Sequence, residues 1–438
     1  MFVGSEKKTT PHFPLPTFHF SPMPRWFAGL HITSDCRRIE AALIGVHGRG
    51  DGAPIECRQS MSFDLPAEIA ESYHQLLTSQ EPTSTARFSC RFAALSEELA
   101  GVEEEALDEL LAESQIPKAE LLAVGLLDPG WWNIGEHSRM YRSLSCPDLL
   151  AERTGISVID SFPSRDIACG GTGGPLLPFP AWIVLGSEER DRVLIDLGKT
   201  ARLTFLPSAK QPTAHQRIEF REVCPCGSLL DELTSQLTRG KAGIDSGGHL
   251  TVQGKHIPAL LKSWNELAKK EMKSHSKNWT PSGISPNPLL QLARERATQE
   301  NWSVRDILCT AAYFIAESVA GEIESGYAKS KSKTELLLIG GACGHGLLLS
   351  RLGKNLEGWT QQSVKECGVA VDSFDAVCVA ILTLFFADQI PAAIPGVTGA
   401  ETARTLGRIT PGSPQNWAKI LDEILQAKIH SRSLRSAM

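Results

Sequence analysis

No stretch of this chain reaches the roughly 18 to 20 uninterrupted apolar residues that a membrane-spanning helix needs, so nothing points to a membrane protein. Charge of one sign is also missing. The 44 Lys and Arg against 50 Asp and Glu leave a formal charge of −6, which sets up no basic field for nucleic acid or anionic lipid. Cysteine pairs at zinc-ligand spacing are absent: Cys224 and Cys226 stand one residue too close for Cys-x-x-Cys, and no second pair follows at finger distance. The 11 cysteines are scattered and odd in number, and they read as reduced thiols of a cytoplasmic protein with no metal-ligand set. The first 26 residues lack the apolar core of a secretory signal. They are proline-rich and polar, and residues 1–24 read as an irregular extension. Neither a Gly-x-Ser-x-Gly elbow nor a well-placed Gly-x-Gly-x-x-Gly is present, which removes the α/β-hydrolase and dinucleotide-dehydrogenase readings.

What the chain does have is length and an alternating pattern. Its 438 residues, 42% of them hydrophobic, are ample for a large core and suggest two or three domains. Short apolar runs at Arg25–Ile32, Ile39–Val46 and Ile55–Phe63 suggest an antiparallel meander. Helical patterns follow over Leu65–Ser79 and Leu95–Ser114, then a continuous apolar strand over Ala119–Leu127. A second meander is expected from Ala181–Gly186, Arg192–Leu197 and Ala201–Leu206. A helix over Ser303–Ser325 has Ser303 as its N-cap with Asp306 at N3. A buried-type strand, Glu335–Ile339, runs into Gly340-Gly341, and helices are expected at Phe374–Ala387 and Asn416–Ala427. Residues 208–287 show only loops and one or two helices. The chain thus reads as α/β, a meander followed by helices and strands, twice over.

One block is more specific than pattern. Leu149-Leu150-Ala151-Glu152-Arg153-Thr154-Gly155-Ile156 is followed by Val158-Ile159, and then by Arg165-Asp166, Gly170-Gly171-Thr172-Gly173-Gly174 and Pro175. This block resembles the signature of the anhydro-N-acetylmuramic acid kinases. Weaker matches to that family lie in the same order at 29–43, at Asp196–Thr204, at Ile339–His345 and at Pro395–Ala400. The resemblance covers residues 25–415 in co-linear order, and only 149–178 is strongly specific.

The resemblance implies two RNase-H-like (actin/hexokinase-like) lobes around a nucleotide-binding cleft. The first lobe would be 25–145, completed by a C-terminal helix over 416–430, and the second 146–415. It implies an ATP- and Mg2+-dependent enzyme that hydrolyses the 1,6-anhydro bridge of anhydro-N-acetylmuramic acid and phosphorylates the freed 6-hydroxyl, in peptidoglycan recycling. Its partners would be the amino sugar and the nucleotide, its assembly a homodimer. Asp166 would be the catalytic base. Gly29, Thr33, Ser34, Arg37, Gly198, Lys199, Gly340 and Gly341 would hold the nucleotide. Glu40, Arg165, Gly170, Gly171 and Gly173 would hold the sugar.

The residues themselves leave alternatives open. On its own, an Arg165–Asp166 pair that caps the next turn is the simpler reading, and the family match reverses that preference. The glycines at 170, 171, 173 and 174 suit either a ligand approach or a plain tight turn. In the first loop, Thr33, Arg37 and Arg38 stand where the family has glycine, aspartate and glycine. A phosphate cradle wants free N–H groups and small residues, whereas Arg37 and Arg38 offer charge instead. In the loop after Asp196, Lys199 replaces a glycine and Arg202 an asparagine. Trp131-Trp132 suits sugar stacking or rim packing equally. Two function readings result: an active kinase of this family, or a non-catalytic binding protein of the same fold.

Overall fold

The computed structural model describes residues 24–436 apart from 51, 79–84, 136–137, 211–212, 276–278 and 368–369. The N-terminal extension therefore lies, but for Pro24, outside the described residues. Thirteen strands occur among them. In the first sheet β1 (Arg25–Ile32), β2 (Arg38–Val46) and β3 (Ile55–Asp64) form the antiparallel meander, and β4 (Leu121–Leu127) runs parallel to β1. A hairpin of β5 (Trp131–Ile134) and β6 (Arg139–Arg142) stands apart. β7 (Ser157–Asp160) continues the first sheet parallel to β4.

The second sheet repeats the plan. β8 (Asp191–Leu197), β9 (Thr200–Leu206) and β10 (Glu219–Pro225) form its meander, with β11 (Thr334–Ile339) parallel to β8 and β12 (Thr360–Ser363) parallel to β11. A last short strand, β13 (Arg408–Thr410), returns to the first sheet against β7. The orders are β13-β7-β4-β1-β2-β3 and β10-β9-β8-β11-β12. Each is an antiparallel meander extended by parallel strands, which is the RNase-H-like plan, twice in one α/β chain. Such parallel strands are covered on both faces, and β4 (LLAVGLL) is accordingly buried along almost its whole length.

The chain divides into two units, one running to Val184 and resuming at Gly368, the other Leu185–Cys367. The boundary expected at 146 thus moves, because β7 pairs with β4 and keeps 157–160 in the first sheet. Residues 368–415 likewise belong to the first unit, since helix Phe374–Ala387 packs on β1 and β13 joins β7. Helix Pro414–Ser436 also belongs there: Asn416 donates to the Leu121 and Leu122 carbonyls and accepts from the Ser157 N–H.

Glycine makes the first unit's close layer. Gly29 on β1 and Gly125 on β4 are paired in register. A Cβ on Gly29 would lie 2.2 Å from the Ala376 carbonyl oxygen, and one on Gly125 1.9 Å from Thr383 Oγ1. Helix Phe374–Ala387, apolar all round and almost wholly buried, nests in that groove. In the second unit, helix Val304–Tyr327 starts as its sequence suggests, with the Ser303 hydroxyl accepting from the Asp306 N–H.

Two elements differ from expectation. Ala181–Gly186 is not a strand but the end of helix Pro178–Leu185. A short apolar run carries no period that separates a buried strand from a buried helix, and here Phe179 packs against Phe385, with ring centroids 4.8 Å apart. The third strand of the second meander is instead β10, within the stretch read as loops and helices. Its sequence EFREVCP reads as polar because its first residues are exposed or half-buried and only its end is buried.

Among the described residues no helix is long and apolar enough to cross a membrane.

Candidate functional site

Asp166 sits near the end of the short helix Phe162–Ile167 that follows β7, and it is fully buried. The Gly173 N–H donates to its Oδ2 at 2.8 Å, and the Thr398 hydroxyl donates to its Oδ1 at 2.7 Å. Gly171 makes the approach feasible: a Cβ there would lie 2.1 Å from Asp166 Oδ2. Gly170 and Gly173 take φ values of 84° and 83°, a region that side chains disfavour. The loop is stitched to the 398–401 segment. The Thr172 N–H and hydroxyl both donate to the Thr398 carbonyl, and the Glu401 N–H donates to the Cys169 carbonyl. Burial pushes the Asp166 carboxyl above its ordinary range, against the lowering effect of the Thr398 and Gly173 hydrogen bonds. Arg165 is exposed and the donors to Asp166 are Gly173 and Thr398, so Asp166 does hold the turn that follows it, without Arg165 as a partner.

The β5–β6 hairpin borders the same loop. Trp132 lies where a Cβ on Gly173 would be 2.9 Å from its ring, and its indole N–H donates to the Pro129 carbonyl at 2.8 Å. Arg139 donates to the Thr172 carbonyl at 2.8 Å. Tyr141 lies edge-on to Trp132 and donates to Asp128 at 3.0 Å. The buried Asp128 also accepts from the Leu144 and Ser145 N–H groups and from the Ser143 hydroxyl. Trp131 behaves differently and packs edge-on to Phe88. Of the tandem tryptophans, only Trp132 borders the Asp166 loop.

The β1–β2 turn is closed on itself. The N–H groups of Thr33 and Cys36 donate to the Arg38 and Thr33 carbonyls. Those of Arg37 and Arg38 go to the Asp35 carboxylate and the Thr33 hydroxyl. Four of the turn's amides are thus spent within it. Ser34 and Arg37 are exposed, whereas Arg38 donates to the Ser62 hydroxyl at 2.6 Å and lies 3.6 Å from Asp64. Gly29, expected at the nucleotide, is the seat of the Phe374–Ala387 helix instead. Glu40 faces His31 across the strand pair, with Asp375 from that helix beside them. Burial pushes the His31 imidazole down, and the two facing carboxylates outweigh it and lift it to about 9.

In the second unit, Gly340 (φ 105°) lies on the end of β8, where a Cβ would be 2.5 Å from the Leu197 carbonyl carbon and 2.7 Å from Asp196 Oδ1. Gly341 faces open space. The carbonyls of Gly198 and Lys199 accept from the N–H groups of Cys226, Gly227 and Ser228, so the start of helix Gly227–Thr238 is capped by backbone. The Lys199 side chain is exposed, and Arg202 bonds Glu222 across β9–β10 at 3.3 Å. Cys224 and Cys226 are buried free thiols, and burial pushes the Cys224 thiol up to about 12.

Apart from Gly29 beneath its helix and the exposed Arg165, the sequence-derived candidates fall into three groups. Asp166, Gly170, Gly171 and Gly173 come together around one carboxylate. Thr33, Ser34, Arg37 and Glu40 share the β1–β2 hairpin. Gly198, Lys199, Gly340 and Gly341 share the ends of β8 and β11. Sequence reading missed Thr398 as a partner of Asp166, although its Pro-Gly-Val-Thr-Gly segment was visible, and it missed His31 and Asp375 beside Glu40.

The profile of the family described as "Anhydro-N-acetylmuramic acid kinase" matches residues 33–412. A protein of that name from Crocosphaera subtropica is 25% identical over 389 residues, covering 87% of this chain and 97% of its own length. Another from Actinobacillus pleuropneumoniae is 26% identical over 348 residues, covering 79% and 89%. Among solved structures, the activator of the 2-hydroxyisocaproyl-CoA dehydratase from Clostridium difficile with bound ADPNP aligns over 82% of this chain and 94% of its own. Its identity is 12% and its TM-score 0.38, too remote to carry an argument.

Proposed function

The chain belongs to the anhydro-N-acetylmuramic acid kinase family, and from that premise we propose that it is an ATP-dependent sugar kinase that opens the 1,6-anhydro bridge of anhydro-N-acetylmuramic acid and phosphorylates the 6-hydroxyl. The observation that carries this reading is the Asp166 carboxylate, buried and held by two donors on a loop where Gly171 has no room for a side chain. Each of its oxygens receives one hydrogen bond and keeps acceptor capacity for a water. A base is most useful when its pKa lies near the working pH, and burial moves Asp166 in that direction. Asp166 takes the proton of a water that adds to C1 of the sugar while the C1–O6 bond breaks. The remaining O–H of that water becomes the C1 hydroxyl, and the departing O6 takes the proton back from Asp166 to become the free 6-hydroxyl. Trp132, beside Gly173, is the apolar surface nearest this loop on which a sugar ring would rest.

ATP with Mg2+ would supply the phosphoryl group. The turn's spent amides do not fit an amide cradle for phosphate, so at the β1–β2 turn the fit rests on a cation and a hydroxyl, Arg37 and Ser34. The same reading places the protein in the cytoplasm, as a homodimer, with an amino sugar and a nucleotide as its small-molecule partners in peptidoglycan recycling.

The self-closed turn also favours a second reading, a non-catalytic protein of the same fold. Calorimetric titration with Mg-ATP and with a non-hydrolysable analogue separates the two. Micromolar binding, followed by phosphate transfer to anhydro-N-acetylmuramic acid, is expected for the kinase. No binding at millimolar nucleotide would leave the non-catalytic protein.

A further inference from the structure

The charged cluster beside the β1–β2 turn is more than a neighbour of that turn. His31 and Glu40 are directly opposite on β1 and β2, one pair below the last residues of the ladder, Ile32 and Ile39. Asp375 comes from the first turn of helix Phe374–Ala387, whose seat is set by Gly29 two residues before His31. Two strands and a packed helix thus hold the three side chains without any loop.

His31 Nδ1 lies 3.5 Å from Glu40 Oε2 and 3.8 Å from Asp375 Oδ2, and one ligand atom from each residue falls within 4.8 Å of the others. Both His31 Nδ1 and Glu40 Oε2 are sealed from solvent and lack a close hydrogen bond, each having the other as its ion-pair partner at 3.5 Å. Buried polar atoms normally find partners. These face each other at distances beyond good N–H···O bonding. The two His31 separations, 3.5 and 3.8 Å, are slightly wider than those a metal ion imposes on its ligands: bonds of about 2.1 Å put neighbouring donors about 3.4 Å apart in a tetrahedron.

We propose that His31, Glu40 and Asp375 bind one divalent transition cation. A single imidazole nitrogen with two carboxylate oxygens is a donor set for Mn2+ or Zn2+ rather than for the all-oxygen cations. Three protein ligands leave at least one position open to water or to a ligand oxygen, as in catalytic rather than structural sites. Asp375 is the least buried of the three, its side chain 44% exposed. Although the family resemblance gives Glu40 to the sugar, binding of the ion requires neither nucleotide nor turnover, so the site is tested separately from the kinase reading.

The test is metal binding by the full-length chain stripped with chelator, titrated calorimetrically with MnCl2 and with ZnCl2 in the absence of nucleotide. Mn2+ binding is followed in parallel by loss of the free-ion paramagnetic resonance signal. One equivalent should bind, and Asp375→Asn and Glu40→Gln should each weaken it at least ten-fold. His31→Ala should do the same. If His31→Ala fails to fold, the half-exposed Asp375 gives the decisive variant. Absence of stoichiometric binding would overturn the site and leave His31 as an imidazolium between two carboxylates. Binding that survives Asp375→Asn unchanged would overturn it as well, as an adventitious ion bound elsewhere. Either failure leaves the Mg-ATP titration untouched, so the two proposals fail separately.

Discussion

Thr398 and Asp166 are 232 residues apart in the chain, and the Thr398 hydroxyl donates to the Asp166 carboxylate at 2.7 Å. This hydrogen bond favours the charged form of a carboxylate that burial otherwise pushes toward the acid. Asp166→Asn should abolish turnover and leave the circular-dichroism spectrum and melting temperature near those of the parent. Thr398→Val removes one of the two donors, so the Asp166 pKa should rise further. The acid limb of the kcat/KM–pH profile should then move to higher pH, with a loss of about ten-fold or more at neutral pH. An unmoved acid limb would separate Asp166 from the rate-limiting proton transfer.

Glycines that resemble one another in the sequence should respond differently to alanine. Gly171→Ala places a methyl 2.1 Å from Asp166 Oδ2 and should cost about 1–3 kcal/mol of stability along with most of the activity. Gly29→Ala meets the Ala376 carbonyl and should destabilise by a similar amount, as its clash is with helix backbone. Gly341→Ala meets nothing within 4 Å and should fold like the parent. Chemical denaturation of the three variants would rank them.

Two adjacent arginines at the β1–β2 turn should also separate. Arg37 is exposed, while Arg38 is committed to Ser62 and lies near Asp64. Arg37→Ala should weaken Mg-ATP binding about ten-fold, the order expected for one charge-assisted contact. Arg38→Ala should leave the dissociation constant within about two-fold. Equal effects, or none from Arg37→Ala, would remove Arg37 from nucleotide binding.

Stability should carry a pH signature from Glu103, a fully buried carboxyl that accepts a hydrogen bond from Ser145. Burial pushes it up from 4.5 to about 8, against the lowering effect of the Ser145 hydroxyl. Between those values the native chain holds a proton that the unfolded chain has released, so this group costs stability progressively as pH rises from 4.5 to about 8. Below 4.5 both states are protonated and the contribution is flat. Inside the window each pH unit is worth up to about 1.4 kcal/mol. Glu103→Gln, neutral at every pH, should gain on the parent steadily across that range in urea denaturation. A constant difference between the two proteins would show that Glu103 does not change its charge on unfolding.

Much of this architecture was legible in the residues, because it depends on local periods. β4 reads as buried on both faces from its unbroken apolar run, and helix Val304–Tyr327 announces its start through Ser303 and Asp306. Where the period is short or the edge polar, the reading failed. Pro178–Leu185 is a helix because its whole surface is apolar and it packs on Phe385. β10 was hidden because its exposed end looks like loop. Gly29 looked like a phosphate-loop glycine because the requirement for a missing side chain does not reveal whether a ligand or a helix fills the space.

By itself the sequence determined the family, through the 149–178 block, and the order of strands and helices, since hydrophobic period and capping act over a few residues at a time. It also marked Asp166 and its glycines as one unit, because they are neighbours in the chain. Only the tertiary structure decided that Thr398 completes that carboxylate, that 368–436 returns to the first sheet, and that His31, Glu40 and Asp375 meet. Those contacts join segments hundreds of residues apart. The last of them is set by how closely helix Phe374–Ala387 approaches the sheet over Gly29 and Gly125, a matter of packing distance that no local pattern encodes.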